Sequence, residues 1–271
     1  MFLNNAIAPH TPKAVDLTNL DPTNFIWALG LIAIAIGLSA TEKLGLEWPL
    51  AIAAGRTILQ LFGVGFVLEV VFARPNPALV VAVLAVMLII ATRVAKSRIG
   101  NKIPQMLPVV GGSLLLSTAL TLGYITILVI KPQTWYEPQY LIPFAGIILG
   151  NAMNGAAQAG ERLTSTLNTA RLEIETHLSL GATPQQAVAN YRKEAIKAAM
   201  IPNLNTMMVV GVVTLPGTFT GQILGGASPF VAALYQMLIL FMQALATLIT
   251  TVLVTQGICQ QVFNSDAQLK I

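Results

Sequence analysis

Long apolar stretches recur along this chain of 271 residues and alternate with short polar connections. A membrane-spanning helix needs about 20 mostly apolar residues. Candidate spans lie near residues 23–40, 49–72, 78–92, 105–130, 139–159, 199–217 and 230–258. With 55% hydrophobic residues, 10% charged residues and a mean hydropathy of +0.73, the chain is too apolar for a water-soluble domain of this length. The sequence therefore predicts an all-α, polytopic membrane bundle of about seven transmembrane helices, forming a single domain over residues 1–271.

The distribution of cations predicts the orientation of this bundle. The connection after the third predicted span carries four cations and no carboxylate: Arg93, Lys96, Arg98 and Lys102. Because cytoplasmic connections of membrane proteins are enriched in Lys and Arg, we expect this connection to be cytoplasmic. Counting spans from it places the N-terminus outside and the C-terminus in the cytoplasm.

A polar segment of about residues 160–199, here called the polar island, is enclosed by apolar runs and falls in the cytoplasm in this topology. Its first part has apolar residues at helical spacing, which predicts one amphipathic helix: Leu163, Leu167, Ala170, Ile174 and Leu178. Gly181 is expected to end that helix in the left-handed conformation. Thr183, Pro184 and Gln186 then supply an N-cap, a first helical position and a capping box for a second helix. The island thus predicts two helices that meet at a tight corner.

This corner resembles the cytoplasmic coupling loop of ABC-transporter permeases, in which a glutamate precedes a glycine by six residues, as Glu175 precedes Gly181. In such permeases the corner inserts into a cleft of the ATPase. The resemblance implies that coupling to an ATPase falls on Glu175, Leu180, Gly181, Ala182, Thr183 and Pro184. The sequence contains no Gly-x-x-x-x-Gly-Lys-Ser/Thr phosphate loop, so we expect ATP and Mg²⁺ to bind a separate ATPase subunit. This chain is accordingly expected to be a transport subunit without a cofactor and not an enzyme.

Further motifs resemble the FetB family, and together they extend over nearly the whole chain: Arg56-Thr-Ile-Leu-Gln60-Leu, Gly150-Asn-Ala-Met-Asn154, Ile201-Pro-Asn-Leu-Asn205 and Leu215-Pro-Gly-Thr-Phe-Thr-Gly-Gln-Ile-Leu224. FetB-like proteins are membrane subunits of bacterial ABC systems linked to iron export, and plant relatives are linked to aluminium tolerance and nucleotide-sugar movement. The resemblance implies a permease of the bacterial inner membrane that exports a metal ion such as iron. We expect two copies to form a symmetric pore with an ATPase docked on each; nucleic acid is not an expected partner.

Polar residues within and beside the predicted spans are candidates for the translocation path: Arg56, Gln60, Asn151, Asn154, Gln158, Asn203, Asn205, Met207 and Gln222. Structural alternatives stay open. The long side chain of Arg56 can reach the headgroups, and a methionine in a membrane helix is commonly an adaptable packing residue. Gly146, Gly150, Asn154 and Gln158 recur every four residues, which also favours close helix packing. The sequence does not identify the metal ligands.

The mechanism is inferred from what the predicted spans lack. Carriers driven by protons or sodium keep ionisable groups inside their spans, yet of the eleven Asp and Glu residues only Glu69 is such a candidate, and it lies near a span end. Work supplied by an external ATPase fits this composition better. Two alternatives remain: an ATP-independent channel or carrier, and an ABC permease for an organic substrate such as a nucleotide sugar. Residues 217–229, which are rich in glycine, are predicted to form either a re-entrant gate or a simple loop.

Overall fold

The computed structural model describes residues 22–100, 103, 105–264 and 268–269. The described chain is helical throughout, as predicted. Its helices, in chain order, are α1 (Pro22–Thr41), α2 (Glu47–Ala73), α3 (Pro77–Ile99), α4 (Met106–Tyr124) continued by a π-helical segment (Ile125–Ile130), α5 (Pro138–Thr169), α6 (Arg171–Ser179), α7 (Pro184–Val209), α8 (Gly217–Leu224) and α9 (Pro229–Gln261).

Five of the described helices are long and apolar enough to cross a membrane: α2, α3, α4 with its π-helical continuation, α5 and α9. The described apolar part of α1, Ile26–Thr41, is shorter. The predicted count of seven spans is therefore not confirmed. The predicted sixth span, 199–217, differs most, because α7 runs without interruption from the polar island to Val209 and a turn follows it. Charged residues in the first half of α7 make that helix less apolar than the five spans.

The predicted basic connection is largely part of a helix. α3 continues to Ile99, so Arg93, Lys96 and Arg98 project from its last turns, whereas Lys102 lies outside the described residues. Cations are favourable at this end of a helix because the macrodipole leaves partial negative charge there. Gly100, at φ +99°, ends α3 and donates its N–H to the Lys96 carbonyl at 3.2 Å.

Residues 22–73 and 221–228 form one compact unit, and residues 74–220 with 229–269 form a second. In the first unit, α1 and α2 make a helical hairpin. Ser39 stabilises its turn by donating to Glu47 Oε1 at 2.8 Å and accepting the Leu46 N–H at 3.1 Å. Gly45, at φ +70°, supplies the left-handed residue that this turn requires.

The second unit is built around α5 and α9. α5 packs against α3, α4, α7 and α9, and α9 packs against α4 and α7 as well. Gly155 allows the close approach of α5 to α9, because a Cβ there would overlap the Thr247 methyl group and lie 3.2 Å from Thr251 Cγ2. Of the two glycines on the predicted small-residue face, Gly146 is closely packed, since a Cβ there would lie 3.2 Å from Met87 Cε, whereas Gly150 has open space.

One buried apolar cluster joins the polar island to the membrane-crossing helices. The predicted amphipathic stripe is part of it: Leu163, Leu167 and Ile174 are fully buried, and Ala170 and Leu178 pack against them. Val188 of α7 and Ile258 of α9 belong to the same cluster. The single helix predicted over this stripe is instead broken at Ala170 (φ −91°, ψ 17°), so α5 extends to Thr169 and α6 is short.

Candidate functional site

The corner between α6 and α7 is defined by backbone hydrogen bonds around Gly181, which has φ +91°. The Gly181 N–H donates to the Leu178 carbonyl at 3.0 Å, and the Ala182 N–H donates to the His177 carbonyl at 3.0 Å. This pair of bonds is a Schellman motif, which satisfies the last carbonyls of α6 and reverses the chain. The predicted glycine stop is confirmed.

The start of α7 is a complete capping box. Thr183 Oγ1 accepts the Gln186 N–H at 3.3 Å, and Gln186 Oε1 accepts the Thr183 N–H at 2.9 Å. Pro184 occupies the first turn, where its missing N–H leaves no bond unmade. Local bonds within residues 177–186 therefore define the turn, and buried side chains of α6 and α7 attach it to the bundle.

The outer surface of the corner is apolar at its tip and charged beside it. Leu180 is 80% exposed and Leu172 is 78% exposed, although Ile174 on the opposite face of α6 is fully buried. Arg171 Nε donates to Glu175 Oε1 at 2.8 Å, and both side chains are about half exposed. Two large leucines are therefore exposed at the corner beside charged side chains.

Tyr191 lies behind this surface and helps to connect α7 with α6. Its ring packs against the buried apolar cluster that contains Ile174. Burial first, and the neighbouring Glu173 carboxylate second, raise the pKa of the Tyr191 phenol. Tyr191 therefore stays neutral at physiological pH and serves as an amphipathic packing residue between the two helices.

The candidate path residues of the second unit lie on two helices that pack against each other, α5 and α7. On α5, Asn154 and Gln158 are exposed one turn apart, whereas Asn151 is half-buried and donates to the Ile147 carbonyl at 2.9 Å. On α7, Asn205 is exposed, and Asn203 and Met207 are half-buried. An exposed amide face on a membrane-crossing helix is unusual, because amides are costly to leave against lipid.

The remaining candidates lie in the first unit. Arg56 and Gln60 are exposed one turn apart on α2, and Gln222 is half-buried on α8. Gln222 Oε1 is buried and has no hydrogen-bond partner within the described part of the chain. Residues 217–229, predicted as a gate or a loop, are helical from Gly217 to Leu224 and then turn at Gly226 (φ +93°).

A set of buried hydroxyl groups on α4 and α9, here called the hydroxyl seam, was not predicted. It comprises Ser113, Ser117, Thr118 and Thr121 of α4 with Thr247, Thr250, Thr251 and Thr255 of α9. Thr250 Oγ1 donates to Ser117 Oγ at 2.6 Å. The hydroxyls of Thr118, Thr121 and Thr247 have no partner in the described structure. The sequence carried a signal for this seam, since small hydroxyl residues recur every four positions on both helices.

Arg192 makes a second contact that was not predicted. Its Nε donates to Thr255 Oγ1 at 3.2 Å and its Nη2 donates to the Val252 carbonyl at 3.1 Å. This cation of the polar island therefore bonds directly to the last third of α9. The α6–α7 corner is joined to α9 both by the apolar cluster and by this arginine.

A resident metal centre has no candidate ligand set in residues 22–100 and 105–264, where no three His, Cys, Asp or Glu side chains come together. The described membrane-crossing helices of the second unit carry amide, hydroxyl and thioether side chains.

Comparison with known proteins identifies relatives over nearly the whole chain. Residues 22–263 match the model of an uncharacterised protein family, UPF0014. The UPF0014 membrane protein slr1647 of Synechocystis sp. is 49% identical over 255 residues, which cover 94% of this chain and 98% of the relative. Protein ALUMINUM SENSITIVE 3 of Arabidopsis thaliana is 32% identical over 243 residues, covering 90% of this chain and 88% of the relative.

The probable iron export permease protein FetB of Escherichia coli is 30% identical over 253 residues, covering 93% of this chain and 96% of the relative. No solved structure matches the chain. The resemblance to FetB seen in the sequence motifs is thus confirmed by overall similarity. The chain belongs to the UPF0014 family of membrane proteins.

Proposed function

We propose that this chain is the permease subunit of an ABC transporter that exports a metal ion such as iron. The observation that carries the proposal is the α6–α7 corner, whose exposed Leu180 sits on a turn fixed by a Schellman motif and a capping box. The similarity to a protein named a probable iron export permease supports both the transport role and the cargo.

The corner is suited to transmit force into the bundle. α7 begins at the corner and continues for 26 residues, so a push on the corner acts along a single helix. The apolar cluster and the bonds from Arg192 attach the same region to α5 and α9. Closure of an ATPase around the corner would therefore move these helices together. The translocation path would then close toward the cytoplasm and open toward the outside.

A second copy is the proposed partner for the exposed face of α5. Asn154 and Gln158 lie on a membrane-crossing helix, where amides facing lipid would be costly. Two copies related by a two-fold axis would bring the same face together and line a polar path. In a Cys259→Ala background, Gln158→Cys should cross-link two copies in the membrane, whereas the exposed Leu128→Cys should not. Equal cross-linking at both positions would count against the dimer.

Substitution of Gly181 tests the coupling proposal. Gly181→Val places a β-branched residue at φ +91°, which costs roughly 1–2 kcal/mol in a normally right-handed chain and reshapes the corner. We expect normal membrane insertion but loss of the ATPase that co-purifies with the wild-type chain, together with loss of transport. Gly45→Val is the matched control, since Gly45 also has positive φ and open surroundings but lies in the α1–α2 turn.

Two results would refute coupling to an ATPase: full retention of ATPase binding and stimulation by Gly181→Val, or transport by the purified chain in liposomes without any ATPase. The cargo is tested separately by cytosolic iron content, which should rise on deletion of the gene and fall on overexpression. Unchanged iron in both strains, with coupling intact, would favour an organic substrate.

A further inference from the structure

A cavity of about 570 Å³ lies between the first half of α7 and the last turns of α9. Its polar lining consists of three cations and three amides: Arg192, Lys193, Lys197, Gln185, Gln256 and Gln260. None of the described carboxylates lines it. Cavities of roughly 300–1,000 Å³ are typical of small-molecule sites, and this one is built to attract an anion.

Arg192 is already fixed in this cavity. Two of its N–H groups bond to Thr255 and to the Val252 carbonyl, and a guanidinium has five such donors. The remaining donors belong to a side chain whose position is set by α9, so little conformational freedom is lost when a ligand binds. A planar guanidinium held in this way is well matched to the oxygens of a phosphate.

The two lysines add charge on the same side of α7. Lys193 and Lys197 are one helical turn apart, which places them on one face. Lys197 also bonds Glu194 at 2.9 Å, but both side chains are about two-thirds exposed. Exposed pairs of this kind are weak, so Lys197 can exchange Glu194 for a stronger anionic partner.

The position of the cavity identifies the source of the anion. α9 is long and apolar enough to cross a membrane and ends at Gln261, so Gln256 and Gln260, in its last two turns, would lie near the lipid headgroups. The cavity also has apolar walls, Val188 and Ile196, which suit a glycerol backbone and the start of an acyl chain. Basic pockets between helices at this depth are known to hold anionic headgroups.

We propose that the cavity between α7 and α9 binds the phosphate headgroup of an anionic phospholipid from the adjacent leaflet. The bound lipid bridges the two helices beside Arg192. This site is independent of the cargo and of the ATPase, because it requires only the membrane and the described contacts of α7 with α9.

Lipid retention by the full chain tests the proposal. The chain is purified in detergent, supplied with phosphatidylglycerol or phosphatidylcholine, and analysed by native mass spectrometry and by its melting temperature. We expect retention of phosphatidylglycerol and a higher melting temperature with it. Lys193→Gln combined with Lys197→Gln should weaken this binding by roughly twenty-five-fold, since each lysine near an anionic surface is worth about a five-fold change.

Matched variants separate this site from general surface attraction. Arg93→Gln with Arg98→Gln removes the same charge from exposed positions of α3 and should leave the retained lipid unchanged. Gln260→Glu places a negative charge in the lining at nearly constant shape and should reduce retention of phosphatidylglycerol. Size-exclusion chromatography checks that each variant is folded.

Three outcomes would overturn the proposal. Retention of phosphatidylcholine equal to that of phosphatidylglycerol would show that the headgroup charge is not recognised. A loss of phosphatidylglycerol in the α3 variant as large as in the lysine variant would show that the cavity is not the site. Displacement of phosphatidylglycerol by millimolar glycerol phosphate or inorganic phosphate would instead assign the cavity to a soluble phosphate compound.

Discussion

Thr183 stabilises the first turn of α7 with a single hydroxyl group. Its Oγ1 accepts the Gln186 N–H, one of the amide groups that has no partner inside the helix. Thr183→Ala should destabilise this turn by about 1 kcal/mol, because the amide loses its acceptor. Hydrogen exchange at Gln186 should then become roughly five-fold faster, with little change in the buried part of α7.

The predicted destabilisation comes from loss of the Thr183 hydroxyl and not from loss of side-chain volume. Thr183→Ser keeps the acceptor and removes only a methyl group, so its exchange rates should match those of the wild-type chain. If the alanine variant also exchanges at the wild-type rate, the capping box does not determine the stability of the corner, and the adjoining Gly181 turn alone sets it.

At the scale of helices, the contact of α5 with α9 depends on one glycine. A Cβ at Gly155 would overlap the methyl group of Thr247, whose β-branched side chain has little rotamer freedom in a helix. Gly155→Ala should therefore destabilise the chain by about 1–3 kcal/mol, as overpacked cores do. Thermal unfolding in a fixed detergent measures the effect.

The same helix supplies the control for Gly155. A Cβ at Gly150 meets no atom, so Gly150→Ala should be neutral or stabilising by up to about 1 kcal/mol through helix propensity. Thr247→Ser removes the methyl group that causes the overlap and should rescue Gly155→Ala. A Gly155→Ala chain that is as stable as Gly150→Ala, or a failed rescue, would show that the two helices can separate at little cost.

Local signals explain which elements could be predicted from the sequence. Gly181, Thr183 and Gln186 interact with partners at most five residues away, so their pattern in the sequence already specified the corner. The buried stripe through Leu163 and Ile174 was equally readable from its spacing. The break at Ala170 was not, because apolar periodicity continues through it.

Contacts between distant elements could not be predicted from a single sequence. Arg192 bonds to Thr255, 63 residues away, and Ser117 bonds to Thr250, 133 residues away. Helical spacing shows that the hydroxyl residues share a face, but it does not show which helix that face meets. For the same reason the sequence showed a small-residue face on α5 but not its partners: a Cβ at Gly146 would crowd Met87 of α3, a Cβ at Gly150 would meet nothing, and the tight approach to α9 is at Gly155.

At the scale of the whole molecule, the path of α7 decides whether the corner can drive transport. The helix has 26 residues and is about 39 Å long at 1.5 Å per residue. The hydrocarbon core of a bilayer is about 30 Å thick, and the apolar part of α7 beyond Lys197 is only about 18 Å long, so α7 crosses it only together with the segment after Val209. The corner and that segment would then lie on opposite sides of the membrane.

Single cysteines test this arrangement in the Cys259→Ala background, which removes the one native thiol. Leu180→Cys marks the corner, and Thr214→Cys marks the turn after α7; both positions are exposed. A membrane-impermeant maleimide should label Thr214→Cys in intact cells and Leu180→Cys only in inverted vesicles, because the cations of the polar island favour the cytoplasm. Labelling of both from one side would show that α7 does not cross, and labelling of Leu180→Cys from outside would place the corner beyond the reach of any cytoplasmic ATPase.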